Sequence, residues 1–169
     1  MASDLNYQNI SIRTDLRPGD LGHVVYRHGK IYSRENDYSI AFEAYVASGL
    51  ADFYFSYDPE KDRVWICEDD DKIVGFLLLM HRGAETAQLR YFYLEPEYRG
   101  IGLGNRLIEL FMDFLREKGY TSAYLWTTNE QTAAAALYEK HGFRLAEEKE
   151  SHAFGKPLVE QRFDFKFEE

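Results

Sequence analysis

Cysteine is nearly missing from this chain of 169 residues. Cys67 stands alone, so no intrachain disulfide can form. It lies in the strand-like run Val64-Trp65-Ile66-Cys67, where a buried structural thiol is expected rather than a nucleophile. No stretch of about 18 apolar residues occurs, and no basic segment leads into an apolar one. Neither a spanning helix nor a secretory leader is therefore expected, no membrane partner is implied, and the chain reads as cytoplasmic. Positive charge is in deficit, with 20 Lys and Arg against 29 Asp and Glu and a net charge of −9. Broad nucleic-acid binding needs clustered Lys and Arg, so it is not expected. The acidic balance mildly favours a cationic or amine-bearing small molecule. None of the 5 histidines pairs with another at metal-ligand spacing, and no metal is expected. The acidic run Glu68-Asp69-Asp70-Asp71 lacks the spread of ligands and the glycine of a calcium loop, and reads as a solvated turn.

What is present suffices for a packed core. Hydrophobic residues make up 45% of the chain, including 13 Tyr, 12 Phe and 2 Trp, and the length suits one domain over residues 1–169. Ile10 to Arg13 alternates like a strand. Arg17-Pro18-Gly19-Asp20-Leu21 turns into a short helix that Gly29 is expected to end. A second helical region follows, clearest from Ser39 to Phe55. Val64 to Cys67 and Lys72 to His81 flank the acidic turn as a hairpin, and Gln88 to Leu94 is the next strand. Leu103, Leu107, Leu110, Phe111, Phe114 and Leu115 form one face of a helix from Leu103 to Lys118, capped by Gly119. Tyr120 to Thr127 is a strand. Thr128 or Asn129 can cap a helix running to about His141, and Thr128 with Gln131 fits a capping box. Phe143 to Lys149 and Leu158 to Phe167 are the last strands. The order is strand, helix, helix, three strands, helix, strand, helix, two strands: a mixed α/β sheet.

Between the third of those central strands and the long helix lies Tyr98-Arg99-Gly100-Ile101-Gly102-Leu103-Gly104-Asn105-Arg106. Glycines at alternate positions permit positive φ and close approach. The first amides of a helix lack intrahelical partners and carry partial positive charge, so this turn is suited to phosphate oxygens. The spacing does not fit a dinucleotide fingerprint, which needs glycines at the first, third and sixth positions. No Gly-Lys-Ser/Thr ending marks a P-loop either. Arg99, Gly102 and Gly104 instead resemble the acyl-CoA-binding motif of the GCN5-related N-acetyltransferases, the GNAT family. A second stretch supports this: Asn129, Ala133, Ala136-Leu137-Tyr138-Glu139-Lys140 and Gly142-Phe143 resemble the family's late tyrosine helix followed by Gly-Phe. The words Arg17-Pro18-Gly19-Asp20-Leu21-Gly22, His28-Gly29 and Tyr32 look like the acetyltransferase half of bacterial fusions with a MarR-type DNA-binding domain. No winged-helix segment precedes them, so no DNA binding is implied.

The resemblance implies a GNAT-like sheet, mostly antiparallel, flanked by about four helices. It implies acetyl-CoA as co-substrate and transfer of its acetyl group to the amine of a small molecule, amino acid or peptide, with a homodimer left open. The pyrophosphate would sit on Arg99, Gly100, Ile101, Gly102, Leu103 and Gly104. Backbone N–H at Tyr93 or Leu94 would meet the acetyl carbonyl or the pantetheine arm where two strands splay. Asn129 would contact the coenzyme, although it stands further before the tyrosine than is usual in the family. Tyr138 would be the general acid, since a phenol of pKa about 10 is protonated at neutral pH and can protonate a departing thiolate. Gln88, eight residues before Pro96, occupies the position of the family's glutamate base and cannot take a proton. Glu35, Glu43, His81 or a water remain as bases, while Glu95 and Glu97 read as exposed turn residues. Substrate contacts are expected from Tyr32, Glu35 and Tyr38, with Tyr26, Phe42 and Phe154 nearby, a set suited to an ammonium group by cation–π contact and charge. The alternative is a non-catalytic acyl-CoA-binding sensor or partner subunit, which Gln88 keeps open. A nucleotide-binding domain is disfavoured by the glycine spacing.

Overall fold

A computed structural model describes residues 6–168. In chain order the elements are β1 (Ser11–Arg13), α1 (Asp20–Asn36), α2 (Ile40–Phe55), β2 (Arg63–Asp69), β3 (Lys72–Gly83), β4 (Thr86–Leu94), α3 (Leu103–Lys118), β5 (Ser122–Thr128), α4 (Thr132–Lys140), β6 (Arg144–Ser151) and β7 (Leu158–Lys166). Short 3-10 turns lie at Tyr7–Asn9 and Pro96–Tyr98. The strands form one 7-stranded sheet in the order β1-β2-β3-β4-β5-β7-β6. Every neighbouring pair is antiparallel except β4 and β5. The expected element order, mixed sheet and four helices are all present. No helix among the described residues is long and apolar enough to cross a membrane.

The sheet is covered on both faces, and β3 shows why its centre is apolar throughout. Phe76 and Leu78 pack with Val24, Phe42, Val46 and Leu50 of α1 and α2. Leu77 and Leu79 pack with Leu107, Ile108, Phe111 and Leu115 of α3. Alternate side chains thus feed opposite layers, and a strand buried on both sides carries no polar alternation.

Three expectations fail for tertiary reasons. Gly29 does not end α1, which continues to Asn36 and stops at Asp37 in the left-handed region, φ 60°. A Cβ on Gly29 would collide with the Glu43 carboxylate, so this glycine serves the close approach of α1 and α2. Neither Thr128 nor Asn129 caps α4, which begins after Gln131 with no side-chain cap. Thr128 Oγ1 lies 2.7 Å from the Tyr38 hydroxyl, and Asn129 Oδ1 accepts from Val159 N–H at 3.0 Å, so both side chains serve long-range ties instead. The acidic run is only partly a solvated turn. Asp70 and Asp71 make the hairpin bend at φ 48° and 62°, a conformation aspartate tolerates. Glu68 is paired with Arg13, and Asp69 accepts a 2.5 Å hydrogen bond from Tyr98.

Candidate active site

The site begins where two parallel strands part. β4 and β5 are in register only over Thr86↔Ser122, Ala87↔Ala123 and Gln88↔Tyr124. Beyond Gln88, β5 stays with β7 as far as Thr128↔Glu160, while β4 diverges. A bulge accompanies the divergence: Phe76 to Leu78 of β3 faces Tyr93 to Arg90 of β4, three residues opposite four. Tyr91 within it holds φ 56°, a position that costs a non-glycine residue roughly 1–3 kcal/mol. Gly49 on α2 makes room, because a Cβ there would overlap the Tyr91 hydroxyl. Leu89 to Leu94 therefore have no strand partner on the β5 side, and their backbone polar groups need others. One finds a side chain: the Tyr32 hydroxyl donates to the Phe92 carbonyl at 3.4 Å.

On one bank of the cleft lies the glycine turn. Gly100 and Gly102 have φ 76° and 90°, and Gly102 is the N-cap of α3 without a side-chain cap. No acidic residue occupies the first turn of α3, so its free amides face outward uncompensated. A Cβ on Gly104 would stand 3.4 Å from Leu137 and Phe92, so α3, α4 and β4 converge here. Arg99 Nη1 donates to Glu35 Oε1 at 2.6 Å, which brings the end of α1 over the turn.

On the other bank is a cavity of about 120 Å³. His28 and Tyr32 of α1, Phe42, Tyr45 and Val46 of α2, Gln88 to Phe92 of β4, Trp126 to Thr128 of β5, Ala134 and Tyr138 of α4, together with Tyr38, Gln131, Phe154 and Glu160, line it. The Tyr138 ring sits 6.1–6.4 Å, centroid to centroid, from Phe92, Phe143 and Phe163. Its hydroxyl has no hydrogen-bond partner among the described residues. Burial raises its pKa well above the usual phenol range, with the nearby Tyr32 phenol adding, so it is protonated at neutral pH. Burial raises Tyr32 to about 12. His28 is 2% exposed, its Nδ1 is 2.8 Å from the Val24 carbonyl, and burial lowers it to about 4. It is a neutral imidazole whose Nδ1–H is committed, leaving Nε2 as the lone pair.

The expected residues are thus partly gathered. Tyr138, Tyr32 and Tyr38 share the cavity. Arg99 and the glycines stand on the opposite bank. Glu35 is not a cavity residue, because its carboxylate is turned to Arg99. The Tyr93 ring is buried beneath α1 and α2 and edges His28 at 5.0 Å, while Leu94 packs on the other face, so the chain there can offer only backbone to the cleft. Asn129 is exposed and its side chain is engaged with Val159. Neither Glu35, Glu43 nor His81 lines the cavity, and His81 Nδ1 lies 3.0 Å from the Tyr120 hydroxyl. Glu95 is not an exposed turn residue: it is buried and takes two hydrogen bonds, 2.8 and 2.6 Å, from Arg27. Arg90, Trp126 and Glu160 were not legible as site residues, since only the parting of β4 from β5 and β7 brings them together.

An open α/β sheet with an uncapped glycine turn at its parted parallel strands defines a class of anion-seating clefts. Within it, the chain belongs to the Acetyltransferase (GNAT) family, whose pattern matches residues 28–143. Rat N-acetyltransferase family 8 member 2 is 30% identical over 104 residues, which are 59% of this chain and 46% of that protein. The chain spans about half the length of the curated relatives it matches, or less. Among solved structures, an acetyltransferase from Streptococcus agalactiae 2603 has a TM-score of 0.74 at 24% identity, covering 95% of this chain and 99% of that one. A GNAT family acetyltransferase from Elizabethkingia anophelis, solved with acetyl-CoA bound, has a TM-score of 0.64 at 15% identity, covering 94% and 99%.

Proposed function

We propose that residues 1–169 act as one acetyl-CoA-dependent N-acetyltransferase domain that acetylates the amine of a small molecule, amino acid or peptide. The observation that carries this is the juxtaposition of two features across the cleft. One is an uncapped glycine turn that suits a pyrophosphate, and the other is Tyr138, protonated and without a partner for its hydroxyl among the described residues. The names of the rat relative and the ligand of the Elizabethkingia structure support the same reading.

In this mechanism the amides from Gly100 to Gly104, with Arg99, hold the pyrophosphate. Backbone N–H at Tyr93 or Leu94 steadies the carbonyl oxygen as negative charge develops on it. The amine nitrogen attacks the thioester carbon, the C–N bond forms and the C–S bond breaks. Tyr138 gives its proton to the departing sulfur. The proton shed by the amine goes to a base, for which Glu160 is the carboxylate of the cavity lining, while burial disfavours a charged His28. Asn129 contributes to the coenzyme through its amide nitrogen, its Oδ1 being tied to Val159.

A thermal shift with acetyl-CoA, with ATP and NAD as controls, tests the cofactor. Ligand at about 100 times Kd adds roughly 2.7 kcal/mol, about 5–10 °C in Tm for a chain of this size. Amine-dependent thiol release tests the reaction. Gln88 favours a second reading, a non-catalytic acyl-CoA-binding module, which predicts the thermal shift without thiol release.

A further inference from the structure

The β4 wall of the cavity carries donors where the family resemblance implies a base. Gln88 Oε1 accepts from Arg82 Nε at 2.8 Å. That bond fixes the orientation of the amide and leaves the Gln88 NH₂ as a donor. Two residues on, Arg90 Nη2 donates to the Tyr45 hydroxyl at 3.0 Å. The Arg90 guanidinium carbon lies 4.6 Å from the centre of the Tyr91 ring and 5.6 Å from that of Tyr45. The guanidinium is thus held in place by two aromatic rings and one hydroxyl, with further N–H groups to spare.

Neither Arg82 nor Arg90 pairs with a carboxylate among the described residues. Arg82 is exposed and outside the cavity, so the unneutralised cation of the lining is Arg90, two residues from the buried Gln88 amide, and together they form a seat for an anion. A planar carboxylate matches the guanidinium fork. Glu160, which lines the same cavity from β7, supplies negative charge on the far side of the parted strands. The wall polarity therefore runs from donors on β4 to an acceptor on β7.

We propose that the acceptor is a free amino acid: a small amine whose carboxylate is held by Arg90 and the Gln88 amide, and whose amine lies toward Tyr138 and Glu160. This rests on the acetyltransferase reading above and adds an anionic end to the amine-bearing ligand that the net charge favours. The reaction is unchanged: the acetyl carbon leaves sulfur for the amine nitrogen, and one proton moves from nitrogen to base and another from Tyr138 to sulfur.

The test is thiol release from acetyl-CoA with the free amino acids and with their carboxamides as acceptors, for the native chain and for Arg90→Gln. Losing a charged hydrogen bond to the carboxylate is expected to cost about ten- to a hundredfold in kcat/KM. The native chain should prefer acids to amides by about that factor. Arg90→Gln should erase the preference by raising KM for the acids more than for the amides, with the thermal shift by acetyl-CoA retained. Arg90→Lys should restore part of it. Amides used as well as acids would overturn the proposal, as would an equal loss for both acceptors in Arg90→Gln. No transfer to either acceptor, with the acetyl-CoA shift intact, would also overturn it and leave the cofactor site standing. Absence of the shift would instead remove the acetyltransferase reading itself.

Discussion

On the α3 side of the parted strands the site is made of backbone, and on the α1–α2 side it is made of side chains. The glycine turn is a handful of consecutive residues whose φ values and free amides create an anion seat locally. The cavity draws on positions from His28 to Glu160, and several of its polar groups have their geometry set from elsewhere in the chain. Tyr38 is held by Thr128, Arg90 by Tyr45, and Gln88 by Arg82. A backbone seat tolerates changes in distant packing but not a Cβ. A side-chain cavity tolerates small local changes but depends on burial, and burial makes it sensitive to pH.

The largest effect is expected where the chemistry falls on one atom of the cavity bank. Tyr138→Phe keeps the packing against Phe92, Phe143 and Phe163 and removes a hydroxyl that no described residue engages. Loss of a general acid should lower kcat by about 10²-fold or more, with the acetyl-CoA thermal shift retained. Unchanged kcat would take Tyr138 out of the mechanism.

Stability against pH separates the banks next. The folded-state pKa of His28, about 4, lies below the ordinary 6.5. Between those values the unfolded chain binds more protons than the folded one. The contribution is therefore complete above about pH 6.5 and is lost as pH falls toward 4. A shift of this size corresponds to roughly 3 kcal/mol. His23 and His141, also lowered by burial, add to the same trend. Urea unfolding at pH 7 and pH 4.5 should show the loss, and His28→Phe should flatten most of it. An equal pH dependence in that variant would place the acid sensitivity elsewhere.

A smaller effect is expected from a Cβ on the backbone bank. Gly102→Ala must hold φ near 90° with its new carbon 3.1 Å from the Tyr7 ring. The left-handed conformation alone costs about 1–2 kcal/mol, so the turn should relax and acetyl-CoA affinity should fall about tenfold. Gly104→Ala, already helical and in ordinary contact at 3.4 Å, should do far less. Equal losses would mean that the seat depends on space and not on conformation.

This contrast also explains what could be read before the fold was known. The turn from Arg99 to Gly104 and the helix from Leu103 to Lys118 were legible because local conformation and helical period are written in consecutive residues. The parting of the sheet and Tyr138 came with the family resemblance. The roles of Gly29, Thr128 and Asn129 were not legible, because each follows from a residue far along the chain: Glu43, Tyr38 and Val159. Arg90 looked like an ordinary polar position on a strand, and only the bulge at Tyr91 and the crossing of α2 make it a cavity wall.

The weakest expected effect joins the two banks. Arg99 and Glu35 form a half-exposed pair, 44% and 33% exposed at their side chains, and such pairs are worth about 0.2–1 kcal/mol. In the free protein this pair turns Arg99 toward α1. A pyrophosphate that uses Arg99 must compete with that carboxylate. Glu35→Gln should then tighten acetyl-CoA binding by about two- to fivefold, and the gain should shrink as salt screens the pair. A Glu35 that serves mainly to position Arg99 over the turn gives the opposite sign, weaker binding in the variant. A Glu35 that leaves Arg99 to hold an acceptor amine gives neither, and raises the acceptor KM alone. Acetyl-CoA Kd at two salt concentrations, with acceptor KM alongside, separates the three. The sign of the change decides whether α1 competes with the donor, prepares its seat, or belongs to the acceptor.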